Sequence, residues 1–598
     1  MNKTAVVFRT RVLILRVCIV CFFFSACGDN DIILDPEVIK CDDTARIDNI
    51  VSELGSSNFV AGTSQGDGIL VLDLHVGSSI KLEYECIEKT EEFIEKSELR
   101  IFYSDGRILI LPFLNNILHS YIHNPNGKTP LSGELVLNAA LPGKLSFKIP
   151  HKDEDGEVFG FQFKAGATGF RVPILGLFYN HQNQIILEFR DEESLYLRDT
   201  IVVGIGQRPN YLPSIIVDIY DPNKTEPGMH FVSFRGRVPS TPFILDNSGE
   251  YRYVLDFSSD PELAGLNYDV GMERLKNGNY YFGNWPSPHL YEMDVLGHIL
   301  SKWNIGPFEF HHNVQEKEDG NLLATVSRYD MHSSGRRAIE DWIIEIDRNT
   351  GSLIHSWDLK KSLNDARQVM GWYEWQDIVD WAHANAVIHD PRDNTIIVSC
   401  RTQALVKLDY SNRPVWILGN HKAWGKNGYG EELDKFLLQP LDKSGNAIDD
   451  QLLLQGEKSH PEFEWPWYQH APLLMDNGHI MLFDNGANRN FAGFGEYSRA
   501  VEYEIDKSSM TVQQIWQYGK ERGRSCFSAI VSDVDILEQS GNVYFCPGSR
   551  VNNDGGNFGG KIVEVSYPDK NVVFEMRINA PDIVFHRAEK MALYPDQY

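Results

Sequence analysis

One pattern recurs five times between Met272 and Glu575, and it leaves the chain few architectures to choose from. It runs from Met272-Glu273-Arg274-Leu275-Lys276-Asn277-Gly278-Asn279 to Trp303, and from Glu318-Asp319-Gly320-Asn321 to Trp357. It returns from Arg392-Asp393-Asn394-Thr395 to Trp416, from Asp476-Asn477-Gly478-His479 to Trp516, and from Ser540-Gly541-Asn542-Val543 to Glu575. Each copy reads as a hairpin, a strand, a tight turn and another strand, with Asn-Gly or Asp-Asn supplying the turns. One such sheet has apolar side chains on both faces and cannot bury them alone, so the copies must stack on one another. A weaker sixth copy covers Pro242 to Asp256, with Lys590-Met591-Ala592-Leu593-Tyr594 available to close the ring. The expected architecture is all-β, a six-bladed β-propeller over residues 211–598. The repeated tryptophans, Asn-Gly pairs and acidic residues are expected to serve packing and turns.

At 598 residues the chain exceeds one ordinary core. Residues 44–210 read as short alternating strands such as Gly68 to Leu74, Leu99 to Tyr103 and Gln184 to Phe189, which predicts a separate N-terminal β-sandwich domain. Ile87 to Lys96 reads as a helical turn. The Pro, Asn and Gly content from Gln207 to Gly228 marks the expected boundary.

The first residues have another use. Lys3, Arg9, Arg11 and Arg16 precede the apolar run Val17 to Phe24 and then Ser25-Ala26-Cys27. This pattern predicts a lipoprotein signal peptide over 1–26, lipidation of Cys27 and an acidic tether over 27–43. The alternative, an uncleaved anchor, needs an apolar run of about 20 residues. An exported lipoprotein at the outer membrane of a Gram-negative cell, facing periplasm or exterior, is the expectation. Cleavage removes four cations and no anion, so the formal charge moves from -27 to -31. Such a field disfavours nucleic acid, and an anion-binding site must be locally cationic against it. Five cysteines remain, with no CxxC, which argues against zinc and a disulfide scaffold. One bridge, Cys41–Cys86 or Cys526–Cys546, suits an exported chain, and the sequence does not choose.

Candidate chemistry sits just outside the repeat, at the starts of inner strands. His311 and His312 precede one copy, His383 and Asn385 the next, Arg401 ends that strand, and His470 precedes the following copy. Three successive sheets would thus place imidazoles at one end of a central funnel. Metal binding is the rival use of three histidines. The companions visible in sequence, Asn385 and Arg401, suit an oxyanion better, because a guanidinium repels a divalent cation but pairs with sulfate or phosphate. No metal and no cofactor are expected.

The order of these motifs resembles the bacterial arylsulfate sulfotransferase family. It comprises Phe310-His311-His312-Asn313, then Asp380-Trp381-Ala382-His383-Ala384-Asn385, Ser399-Cys400-Arg401, Trp416-Ile417-Leu418-Gly419, Gly419 to Trp424, Trp465 to His470 and Phe483-Asp484-Asn485-Gly486. Asn124 to Leu131 and Val172 to Leu177 resemble the family's N-terminal domain. The resemblance implies a nucleotide-independent enzyme that moves a sulfuryl group from a phenolic sulfate ester to a phenol. It implies a transiently sulfated His470, a sulfate-binding set of His383, Asn385 and Arg401, and one further histidine, His312 or His311. A polar residue from the last copies, Ser525 or Ser528, and a homodimer also follow from the resemblance. Trp465, Trp467 and Tyr468 are candidates to stack on the aryl ring or to pack the sheets. A neutral imidazole is a competent nucleophile, and an N-sulfated histidine can pass its group to a second phenol. Two departures stand out: Thr402-Gln403 replaces an expected histidine after Arg401, and no close cysteine pair lies between Arg401 and His470. The alternative function is a non-catalytic surface propeller that binds sulfated or acidic glycans. A hydrolase would pass the group to water, but the Cys-x-Pro-x-Arg motif of the usual sulfatases is missing.

Overall fold

The computed structural model describes residues 38–596 except 44–45, 48–49, 51–59, 67, 75–78, 94–97, 113–117, 138–139, 153–157, 169–170, 192–193, 268–269, 555 and 582–583. The leader, Cys27 and the first part of the tether lie outside the described residues. No helix among the described residues is long and apolar enough to cross a membrane. The chain is nearly all β and divides into two compact units, one up to residue 125 and over 131–207, the other over 126–130 and 208–597.

In the first unit, Val60–Gly66, Ile69–Leu74 and Ser79–Glu83 form one antiparallel sheet, and Ile87–Phe93, Glu98–Tyr103 and Ile108–Pro112 another. Leu72, Leu82, Ile101 and Leu111, one from each of four strands, meet in a shared core with Ile47 and Ile50. Where a helical turn is expected over Ile87 to Lys96, Ile87–Phe93 is a strand, preceded by one 3-10 turn at Tyr84–Cys86, and the rest of that stretch lies outside the described residues. Its charged residues favour no helix strongly enough to resist pairing with Glu98–Tyr103, and Ile87 is buried. Cys41 and Cys86 form the disulfide, while Cys400, Cys526 and Cys546 are buried free thiols. Two further sheets follow, one centred on Ala140–Ile149 and His181–Asp191, the other on Ser132–Leu137.

The stretch 126–130, read from sequence with the N-terminal domain, belongs to the second unit. There Asn126 Nδ2 donates to the Leu296 carbonyl at 3.1 Å, and Lys128 pairs with Asp260 at 2.9 Å. The turn-rich boundary segment likewise contains a strand, Ser214–Tyr220, paired to Val572–Asn579.

The second unit holds six sheets of four or more strands among its described residues. Their consecutive hairpin strands start, in chain order, at Met229–Phe234, Glu273–Arg274, Glu309–Glu316, Ala384–Asp390, His470–Leu474 and Asp533–Ile536, and Gln439–Leu441 and Ser214–Tyr220 add an edge strand to the fifth and sixth. The first sheet takes its last strand, Phe585–Met591, from the C-terminus; it overlaps the segment expected to close the ring at Lys590 and Met591 and extends N-terminally from it. Cores lie between successive sheets. Trp357 packs between the third and fourth, Trp416 between the fourth and fifth, Trp516 between the fifth and sixth. The indole N–H of Trp357 donates to the Asp409 carbonyl at 2.9 Å and that of Trp516 to Pro568 at 3.0 Å, each in a turn of the next sheet. The repeated tryptophan therefore fills an apolar gap and also pins the neighbouring sheet. The first strands touch in series from Glu309–Glu316 through Ala384–Asp390, His470–Leu474 and Asp533–Ile536 to Phe585–Met591. Arg274 then donates to the carbonyls of Ala592 and Leu593, which joins the second sheet to the end of that series.

Candidate active site

Bulges shape the site. The first strands of the third, fourth and fifth sheets break register between Phe310 and Val314, Ala384 and Ala386, and His470 and Leu473. Backbone φ is positive at His312 (56°), His383 (50°), Tyr468 (56°) and Ala471 (47°). A bulge turns a side chain off the plane of its strand, and left-handed backbone at residues with a Cβ is strained. Here both devices aim imidazoles at one spot. The His312 ring lies 5.1 Å from His311, 5.0 Å from His383 and 5.4 Å from His586, and His470 lies 6.0 Å from His586.

His470 is 2% exposed. Its Nδ1 lies 2.7 Å from Asn485 Oδ1 and 3.1 Å from the Tyr468 carbonyl. Asn485 Nδ2 donates to the carbonyls of Ser528 (2.8 Å) and Val531 (3.0 Å), so its Oδ1 must face the ring. Both partners of Nδ1 are acceptors, hence Nδ1 carries the hydrogen and Nε2 keeps a free lone pair. Burial, with the Arg401 guanidinium next, holds the imidazole pKa well below its ordinary value. His470 is thus a neutral imidazole with the lone pair of Nε2 uncommitted.

His383 is the opposite case. Burial alone would lower its pKa, but Asp380 at 2.5 Å and Glu340 at 2.9 Å from Nδ1 override it and raise the value to about 10. Glu340 would be pushed up by burial; the imidazoles of His383, His311 and His312 instead hold it well below the carboxylate range. It also lies 3.3 Å from His312 Nε2. His311, His312 and Glu340, and likewise Glu340, Asp380 and His383, keep polar atoms within 4.8 Å of one another. The sequence argument against a metal assumed that no carboxylate accompanies the histidines, and Glu340 and Asp380 correct it. The His383 imidazolium offsets one of the two carboxylate charges, while burial, and then the charge of Glu340, push the Asp380 carboxyl up.

Arg401 supplies the second fixed cation. Its guanidinium stands 4.9 Å over the Tyr468 ring and 5.1 Å over Tyr373, and donates to the Tyr373 hydroxyl. Its Nε is buried without a hydrogen-bond partner among the described residues. Asn385 Nδ2 donates to the Gln469 carbonyl at 2.9 Å, which ties the fourth sheet to the residue before His470 and leaves one N–H for a ligand. Gln469 in turn donates to the Cys400 carbonyl at 3.1 Å.

Other predicted residues lie elsewhere. Trp465 and Trp467 are each 1% exposed and packed into cores, with Trp465 Nε1 donating to the Leu453 carbonyl, so neither presents a face to a ligand. Tyr468 touches the site through Arg401 while its hydroxyl donates to the Met370 carbonyl at 2.5 Å. The Ser528 hydroxyl is spent on the Ile530 carbonyl, and that residue contributes through its own carbonyl, which orients Asn485. The Ser525 hydroxyl donates to the Arg522 carbonyl. Gln403, where a histidine was expected, donates to the Trp381 carbonyl and accepts from buried Arg367.

Five contributors escaped sequence reading: Asn485, Glu340, Asp380, Tyr373 and His586. Asn485 and Asp380 stood inside the quoted motifs without a role. Glu340, Tyr373 and His586 carry no local signal, since they come from an inter-strand loop, a small side sheet and the closing strand. Beyond the histidines, a cavity of about 550 Å³ runs between the first strands, lined by Glu273, Asn313, Ala386, Ala471, Asp533 and Arg587 among others.

The family model for arylsulfotransferase (ASST) matches residues 217–585. The chain is 25% identical over 572 residues to an arylsulfate sulfotransferase of Lelliottia amnigena, covering 80% of this chain and 93% of that protein. It is 26% identical over 565 residues to an arylsulfate sulfotransferase of Escherichia coli O6:H1, covering 79% and 92%. A solved structure of a Bacteroides caccae protein of unknown function aligns with a TM-score of 0.34 at 13% identity, over 59% of this chain and 94% of that one.

Proposed function

Because the chain belongs to the arylsulfotransferase family, we propose that it transfers a sulfuryl group from an aryl sulfate to a phenolic acceptor in two steps through a sulfated His470. The observation that carries the reading is the state of His470: neutral, with Nδ1–H committed to Asn485 and Nε2 free, between Arg401 and the His383 imidazolium. Nε2 attacks sulfur, the sulfur–oxygen bond to the aryl group breaks, and the phenol leaves. A second phenol then takes the group from nitrogen, and the electron pair returns to Nε2. Charge in such a loose transition state gathers on the peripheral and departing oxygens. Arg401, His383 and the remaining N–H of Asn385 are fixed donors for it. On this reading the six sheets of the second unit are the blades of a six-bladed propeller, and the sheets of the first unit form a sandwich domain. Tyr373 and Tyr468, on either side of Arg401, are the aromatic faces nearest to a bound aryl ring.

The test follows nitrophenolate release from 4-nitrophenyl sulfate, with and without phenol, in the wild type and His470→Ala. Release that needs phenol and vanishes in the variant is expected. Release that ignores phenol would identify a hydrolase. No release from folded protein with several aryl sulfates would favour a glycan-binding surface protein.

We also propose that the protein is exported and held at the outer membrane by lipid on Cys27, as a homodimer. Cys27→Ser should move it from the membrane fraction to the soluble one, and a variant that stays with membranes would defeat the anchor. A monomer in light scattering would defeat the dimer.

A further inference from the structure

His586 stands on Phe585–Met591, the C-terminal strand that completes the first sheet. It is 6% exposed, stacks on His312 at 5.4 Å and 28°, and meets His470 edge-on at 6.0 Å. Among the described residues, neither of its ring nitrogens has a hydrogen-bond partner. Burying an imidazole that bonds to nothing costs stability, and a position that keeps one calls for a ligand to complete it. The other imidazoles are committed. His470 is held by Asn485, His383 by Asp380 and Glu340, and His312 faces Glu340. His586 alone adjoins the nucleophile with no carboxylate or amide contact of its own. Its charged and titratable neighbours are His312, His470, Arg587 and Arg235.

We propose that His586 is a catalytic residue that carries the proton between the two phenols. The inference rests on the sulfohistidine reading above. In the acceptor step the phenol O–H bond breaks, its proton passes to His586, the oxygen bonds to sulfur, and the sulfur–nitrogen pair returns to His470 Nε2. In the donor step the aryl oxygen leaves sulfur with its electron pair and takes that proton from the His586 imidazolium. No proton is gained or lost over the cycle. Burial, then His312 and His470, lower its hold on a proton, so once the departing aryl oxygen has taken the proton the ring stays neutral in the sulfated enzyme, as a base awaiting a phenol must be. An anionic ester in the site favours the imidazolium, as the donor step requires.

The experiment is rapid mixing of wild type, His586→Gln and His586→Ala with 4-nitrophenyl sulfate and with phenyl sulfate, resolving sulfation of His470 from its discharge by phenol. Nitrophenolate departs without a proton, so its burst should persist in both variants. Discharge by phenol, and sulfation by phenyl sulfate, should slow by about 10²–10⁴-fold. Added imidazole should restore part of the rate to His586→Ala. An equal loss in both steps and with both donors would make His586 structural and overturn the proposal, as would no loss at all. If the wild type shows no burst and no sulfated His470, the two-step function fails and this inference with it. If the wild type shows both while the variants show no selectivity, only the role of His586 falls.

Discussion

A single acceptor atom decides which nitrogen of His470 can react. Asn485 Oδ1 holds the hydrogen on Nδ1, and replacing the residue frees the tautomer while leaving the ring in place. Asn485→Leu should lower the rate of His470 sulfation by on the order of 10²-fold or more, in line with losses seen when a partner that orients a reactive imidazole is removed. Asn485→Asp makes a different prediction. A carboxylate beside Nδ1 favours the imidazolium, so the neutral nucleophile forms only at higher pH and the acidic limb of the pH–rate profile should move up. His383 governs the alkaline side. Its pKa is raised from 6.5 to about 10, so its favourable ion pairs with Asp380 and Glu340 are fully present below about 6.5 and fade as pH rises through about 10. Activity should fall along an alkaline limb near that value. Glu340→Gln and Asp380→Asn should each draw the limb down, since each removes a charge that holds the proton; an unmoved limb would refute this assignment.

At the scale of the element, the segment from Trp465 to Asn488 behaves as one assembly built to present His470. Asp484 accepts from the Trp467 backbone N–H and from Arg489 and Arg499, each at 2.8 Å. Arg499, fully buried, also reaches the Glu464 carbonyl at 3.0 Å and its carboxylate at 3.1 Å. The approach to the bulge is thereby clamped at both ends. Gly486 closes the Phe483-Asp484-Asn485-Gly486 turn with φ of 73°, and a Cβ there would meet the Tyr497 carbonyl oxygen at 2.2 Å. Gly486→Ala should therefore destabilise the second unit by roughly 1–3 kcal/mol, the range for backbone held in a disfavoured region. It should also slow sulfation by moving Asn485. Denaturant unfolding monitored alongside the nitrophenolate burst checks both effects, and a variant as stable and as active as wild type would show the turn to be pliable.

At the scale of the whole molecule, the disulfide and the histidine cluster lie in different units. The Cys41–Cys86 bridge closes a separation of 45 residues within the first unit, for which the chain-entropy relation gives about 4 kcal/mol. Reduction, or Cys41→Ser with Cys86→Ser, should lower the denaturation midpoint of that unit while His470 sulfation by the intact chain persists. Loss of sulfation in step with unfolding of the first unit would show that the site depends on it. The second unit is closed differently, by the C-terminal strand Phe585–Met591 pairing with Met229–Phe234. That pairing also carries His586 beside His312 and His470.

The periodic part of this protein was legible in the sequence because its information is local. Turn residues fix their own hairpins, alternating apolar positions mark strands, and a repeated tryptophan must find an apolar gap, so the copies from Met272 to Glu575 announce their sheets unaided. Motif order likewise singled out His311, His312, His383, Arg401 and His470, and the family followed from that order. Roles were decided only in three dimensions. Trp465 and Trp467 read equally as aryl platforms or as packing, and they are core, because exposure is set by what packs above a residue. Ser528, a candidate ligand group by resemblance, donates its hydroxyl to the Ile530 carbonyl and meets Asn485 through its own carbonyl, a choice made by loop geometry. Asp380, Glu340 and Asn485 fix the charge and tautomer of the histidines, and Glu340 and Asn485 do so from outside the strands that carry those rings. A proton's position depends on distances of a few ångströms between residues up to hundreds apart, and no pattern along the chain encodes such distances.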